Sequence, residues 1–207
     1  MTMKNTITIL LFVTLLASSA LFAGLAVPGE GNPLLASSKI EINNSGYTVE
    51  KLADGAGVRI RVRTPEGKDF WTSEILGDQE KKFIFNGESS NLLVADLNAD
   101  TKPEIITAVA FPPHNGGLYI FTLNAEQNGF MPMTFNNPQT NDEKSFLVAD
   151  IFQEDGQDIA FIDNRVRVLG MLYPENEYGE PVASFFYYRL TDSAFAYEGC
   201  EAVPVDN

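Results

Sequence analysis

Past residue 38 the apolar positions recur every second residue, in short runs broken by Gly, Asn, Asp and Pro. That pattern belongs to antiparallel strands joined by tight turns. It is clearest at Val58-Arg59-Ile60-Arg61-Val62-Arg63, where Val58, Ile60 and Val62 face a core and three arginines face solvent. Strands are expected over residues 38–43, 47–52, 58–63, 70–73 and 81–85. The turns between them fall at Asn43-Asn44-Ser45-Gly46, Asp54-Gly55-Ala56-Gly57 and Pro65-Glu66-Gly67-Lys68. Apolar strands at 105–111 and 118–123 then flank a turn containing Pro112, Pro113, His114 and two glycines. In the later run Phe185-Phe186-Tyr187-Tyr188, alternation sends Phe185 and Tyr187 to one face and Phe186 and Tyr188 to the other. The fold class is therefore all-β and antiparallel, with no long amphipathic helix past residue 40.

The first residues break this pattern. Lys4 precedes an apolar run over 7–26, and small-x-small sites occur at Ser18-Ser19-Ala20 and Gly24-Leu25-Ala26, which predicts a signal peptide at 1–26 cleaved after Ala26. The run is also about long enough to span a bilayer, so an uncleaved anchor is the alternative, and only then would the membrane be a partner. A periplasmic or secreted location follows either way. Pro28, Gly29, Gly31 and Pro33 make 27–37 read as a flexible linker, leaving 38–207 as one domain.

Charge narrows the partners. The chain carries 28 acidic and 14 basic residues, a net charge of −14, which repels nucleic acid and favours cations or a protein with a basic surface. Cys200 is the only cysteine and His114 the only histidine, so neither an internal disulfide nor a multi-histidine zinc site can form. No nucleophile elbow, HExxH helix or phosphate loop is present. A catalytic role would rest on a carboxylate pair, which is recognised in space rather than in sequence.

One motif is used twice. Leu93-Val94-Ala95-Asp96 recurs as Leu147-Val148-Ala149-Asp150, and Asp100, Glu104 and Ile105 then align with Glu154, Asp158 and Ile159. Such a period points to propeller-like or stacked β architecture, with repeats near 85–135 and 139–198; with the resemblance described below, the expectation is a partial or irregular β-propeller-like architecture of about three units. In the first copy, Asp96, Asn98, Asp100 and Glu104 take positions 1, 3, 5 and 9 of a loop, and Lys102 offers its carbonyl at position 7. These are oxygen ligands in a spacing that suits one Ca²⁺. An EF-hand is excluded, because Thr101 and Thr107 occupy positions 6 and 12 where glycine and glutamate are needed. In the second copy, Asp150 to Asp158, Phe152 takes the place of the third ligand and Gly156 sits one place late, so calcium there is doubtful.

Phe85-Asn86-Gly87, Val94-Ala95-Asp96-Leu97-Asn98-Ala99-Asp100 and Glu104-Ile105-Ile106 together resemble the FG-GAP or VCBS-type repeat of integrin α-subunit propellers and of many exported bacterial proteins. The resemblance covers about residues 85–197 and implies a calcium loop joining two strands of a blade. Small exported proteins with truncated propellers include some that resemble lysozyme inhibitors and immunity proteins. The expected function is thus a calcium-binding, protein-binding module, such as a periplasmic inhibitor or immunity factor. The alternative is a carbohydrate-binding or carbohydrate-acting envelope protein that uses Trp71, Tyr173, Tyr178 and the aromatic run at 185–188. An open groove shared by Trp71 and the two loop tyrosines would favour sugar. Arg59, Arg61 and Arg63 are expected either to pair with nearby carboxylates or to form a ridge for an acidic partner.

Overall fold

The computed structural model describes residues 32–136, 143–162, 165–174, 179–191 and 194–204. The expected signal peptide, residues 27–31 of the expected linker and Tyr178 lie outside these residues.

The first sheet is a meander of β1 (Leu34–Ile42), β2 (Ser45–Asp54), β3 (Gly57–Arg63) and β4 (Asp69–Thr72). Asn43 and Asn44 both adopt positive φ, 51° and 61°, as a two-residue hairpin turn requires if its twist is to match the strands it joins. The sheet corrects the expected linker, since β1 starts at Leu34 rather than Ser38. The reason lies in β2: its Leu52 pairs with Leu34, and the Ala53 amide donates to the Pro33 carbonyl at 2.8 Å. Pro33 and the residues after it are thereby recruited to satisfy backbone groups that β2 would otherwise leave unpaired.

The chain continues through β5 (Gln79–Lys81), β6 (Phe83–Phe85), β7 (Glu88–Ser90), β8 (Leu92–Ala95), β9 (Glu104–Phe111), β10 (Asn115–Leu123) and β11 (Phe130–Pro132). It ends with β12 (Thr134–Asn136), β13 (Glu143–Lys144), β14 (Leu147–Ala149), β15 (Ile159–Ile162), β16 (Arg165–Leu172), β17 (Val182–Leu190) and β18 (Ala194–Ala202). The second sheet runs β11-β10-β9-β5, with β14 added to β10 and β8 to β9. The third runs β13-β12-β18-β17-β16-β15-β6-β7.

The second sheet lies between the other two. Ile105, Val109, Tyr119 and Phe121 pack with Val49, Ile60 and Val62 of the first sheet. The alternate residues Ile106, Ala108, Leu118 and Ile120 pack with Phe135, Val168, Phe186 and Phe195 of the third. β9 is consequently buried on both faces, which is why its sequence is almost continuously apolar instead of alternating.

The all-β expectation holds, and no helix forms among the described residues. Two pairings depart from the antiparallel expectation: β15 with β6 and β12 with β18 are parallel. Each joins strands from separate parts of the chain that meet only when the third sheet closes up. The two Leu-Val-Ala segments also pair differently. β8 pairs with β9, the strand after its own loop, whereas β14 pairs with β10 and leaves β15 to β16 and β6. Among the described residues the sheets do not close into a barrel or a ring of blades.

Candidate metal centre

The first repeat loop is clamped at its base, where Ala95 of β8 pairs with Glu104 of β9. Inside it the side-chain oxygens fold the backbone around themselves. Oδ2 of Asp96 accepts from the Thr101 amide at 2.9 Å, and Oδ1 from the Asp100 amide at 3.2 Å. Oδ1 of Asn98 accepts from the same Asp100 amide at 3.0 Å, and Oδ1 of Asp100 accepts from the Lys102 amide at 2.8 Å. Ala99 and Thr101 take left-handed conformations, φ 60° and 69°. Thr101 therefore adopts a conformation that favours glycine, at a cost of ~1–2 kcal/mol for a residue with a Cβ.

Glu104 is the one member of the set that is fully buried. Its Oε2 accepts from the Leu97 amide at 2.8 Å, while its Oε1 is buried with no hydrogen-bond partner. Burial pushes its pKa up to about 7; the Leu97 amide works against that shift, and the Asp100 and Asp96 charges add to it. Asp96, Asp100 and Lys102 are exposed and Asn98 is half-buried. Among the described residues no three Asp, Glu, His or Cys side chains converge as a metal-holding group. Asp96 and Asp100 thus serve as acceptors for their own loop, and gathering them with Glu104 around an ion requires side-chain rotation. The candidate donors are all oxygens, the type that calcium takes, and Glu104 has one buried oxygen without a hydrogen-bond partner.

The second repeat loop is arranged differently. Asp158, the counterpart of Glu104, is fully buried against the ammonium of Lys81, which is buried too, at 2.9 Å from Oδ1. At that distance the ammonium both hydrogen-bonds the carboxylate and attracts it electrostatically. Lys81 Nζ also donates to the Gln153 carbonyl at 2.8 Å and stands 4.0 Å from the centroid of the Phe152 ring. The phenylalanine that removed a ligand thus faces an ammonium instead. Burial raises the Asp158 pKa, and Lys81 pulls it back down. Asp150 leaves the loop altogether. It lies by Gly170, where an added Cβ would come within 3.2 Å of its Oδ2, and lines a cavity of about 170 Å³ with Phe135, Phe186 and Tyr188.

A second lysine is buried nearby. Nζ of Lys51, on β2, donates to the carbonyls of Ala108 at 2.7 Å, Asn91 at 2.9 Å and Lys81 at 3.3 Å, tying the first sheet to the second. Burial lowers its pKa to about 8, against a smaller upward pull from Glu80. Sequence reasoning did not single out Lys81 or Lys51. The only local signal is their place on the inward phase of a strand, where lysine is unexpected.

The remaining candidates disperse. Trp71 is half-buried and packs against the core, 5.3 Å from the Phe121 ring and 5.4 Å from Phe130, while Tyr173 is exposed and joins no aromatic pair among the described residues. Phe186 and Tyr188 are buried, whereas Phe185 and Tyr187 are half-buried on the opposite face. His114 and Cys200 are exposed. On β3, Arg59 pairs with Asp54 at 2.6 Å and Arg61 with Glu50 at 2.8 Å, and Arg63 stands 3.8 Å from Asp69. The carboxylate-paired expectation is what the strand displays. No family model, curated protein or solved structure matches the chain.

Proposed function

We propose that this is an exported, calcium-stabilised β-repeat protein that works by binding another protein, a partner with a basic surface, as an inhibitor or immunity factor would. In this reading the stacked sheets are an irregular, open form of propeller-like repeat. Asp96, Asn98, Asp100, Glu104 and the Lys102 carbonyl hold one Ca²⁺, which stiffens the loop between β8 and β9. The observation that carries the metal is the buried, partnerless Oε1 of Glu104 beside two further carboxylates. The second loop supports it by contrast, since there the equivalent buried carboxylate already has a cation in Lys81.

The net charge of −14 supports a basic partner. The carbohydrate reading has less support, since Trp71 is half-buried and packs against Phe121 and Phe130. Two titrations test the proposal. Calorimetry of EDTA-stripped protein with CaCl₂ should give one site; no heat of binding ends the calcium assignment. A basic lysozyme fixed to a sensor surface should retain the protein in calcium and release it in EDTA. Failure to retain it ends the inhibitor reading while leaving the metal site standing.

A further inference from the structure

The arginines of β3 and β16 meet opposite fates. Those of β3 face carboxylates. Arg165 and Arg167 of β16 make no ion pair among the described residues; each guanidinium lies over a ring of β17, Arg165 at 5.1 Å from the Tyr187 centroid and Arg167 at 4.2 Å from Phe185. Register explains the arrangement. Val166 and Val168 point into the core opposite Tyr188 and Phe186, so Arg165 and Arg167 project outward beside Phe185 and Tyr187.

Acids outnumber bases 28 to 14 in this chain, so an arginine lying on a ring instead of a carboxylate runs against the composition of its own surface. Among the described residues, Glu201 is engaged by the Tyr187 hydroxyl and Glu198 by Arg189. A guanidinium held over a ring keeps its charge, and its remaining N–H groups can grip a carboxylate. Arg167 donates from Nη2 to the Gln157 carbonyl at 3.3 Å and its Nε is buried without a partner, which leaves Nη1 for a carboxylate.

We propose that the outer face of β16 and β17 docks an acidic segment of a protein partner, extended along β16 with carboxylates on alternate residues. Side chains two apart on a strand are separated by roughly 6.6–6.8 Å, so an extended peptide with acids at every second position matches Arg165 and Arg167 in step. A polyanion fits poorly. Duplex DNA carries one charge per ~1.7 Å and would meet the repulsion of the whole acidic chain, whereas a short peptide presents only the charges the two guanidiniums neutralise. This surface belongs to the third sheet and is separate from the loop assigned to calcium.

Fluorescence anisotropy decides the matter, with the whole chain titrated into a labelled short peptide of alternating Glu and Thr. The alternating peptide should bind, and one of equal composition with its glutamates in a block should bind more weakly. The Arg165→Gln/Arg167→Gln variant should lose about tenfold in affinity or more, while Arg59→Gln/Arg61→Gln leaves it unchanged. Phe185→Leu keeps both charges but frees the stacked guanidinium; it should also weaken binding, and it serves if the double variant misfolds. No binding by the native chain, equal losses in the β3 variant, or equal binding of the block peptide or of a thymidine oligonucleotide would overturn the proposal.

Discussion

Lys81 and Asp158 form an ion pair of 2.9 Å in which neither side chain reaches solvent. Removing one partner of such a pair leaves the other buried and uncompensated, which costs about 3–5 kcal/mol, far more than the pair itself contributes. Lys81→Met should therefore lower stability by that amount in urea unfolding, and Lys81→Met/Asp158→Asn should recover most of the loss. A double variant no more stable than the single one would show that Lys81 acts through Gln153 and Phe152 instead.

How far the sequence spoke depended on how local each signal was. The strict alternation of β3 and the Asn43-Asn44 turn are set by neighbours in the chain, and both were legible. So was the loop from Asp96 to Glu104 as a tight connection between two strands, since it is clamped by adjacent strands. The Leu-Val-Ala-Asp repeat was visible, but its pairing was not: register between distant strands is decided by which faces must be buried, and β14 found β10 instead of β15. The start of β1 was hidden because prolines and glycines read as a tether until β2 demands a partner. Lys81 and Lys51 were illegible for the same reason, since their compensating groups lie far along the chain.

Lys51 should give stability a measurable pH dependence. Its pKa is lowered from 10.5 to about 8 in the folded state, so below pH 8 it is charged in both states and the cost of burying the charge is present in full. Between pH 8 and 10.5 the unfolded chain binds more protons than the native one, so stability rises with pH, by at most about 3 kcal/mol from this group. Buried tyrosines work in the opposite direction at higher pH, Tyr119 having its pKa raised to about 12 by burial. The clean window is thus pH 8 to about 9.5. Unfolding free energies across it should rise less steeply in Lys51→Met than in the native chain; parallel slopes would mean that Lys51 is not the source.

Thr101 sits at φ 69° in the first loop. Thr101→Gly removes the clash of a branched side chain in the left-handed region but adds freedom to the unfolded chain, so a net gain of about 0.5–1 kcal/mol is expected. The same change should leave the intrinsic ligands untouched and keep or improve calcium affinity. A destabilised Thr101→Gly in both calcium and EDTA would mean that the threonine side chain makes contacts that outweigh its backbone strain.

Glu104 gives the sharpest test of the metal, because its two roles predict effects of opposite sign. Without an ion, a buried carboxylate with one partnerless oxygen is a burden on the fold; with an ion, it becomes a ligand. Glu104→Gln should therefore melt higher than the native chain in EDTA at pH 8 and fail to respond to calcium. The native chain should gain roughly 2.7 kcal/mol when calcium is at ~100 times its Kd, a rise of about 5–10 °C in Tm at the ~2–4 °C per kcal/mol typical of this size. Asp96→Ala and Asp100→Ala should abolish most of that rise. Asp150→Ala should leave it intact, since Asp150 faces the cavity by Gly170 and not an ion. Melting curves of these variants with calcium and with EDTA separate the outcomes: if the native chain melts alike in both, the loop is a turn held by its own amides, and Glu104→Gln alone should still gain stability.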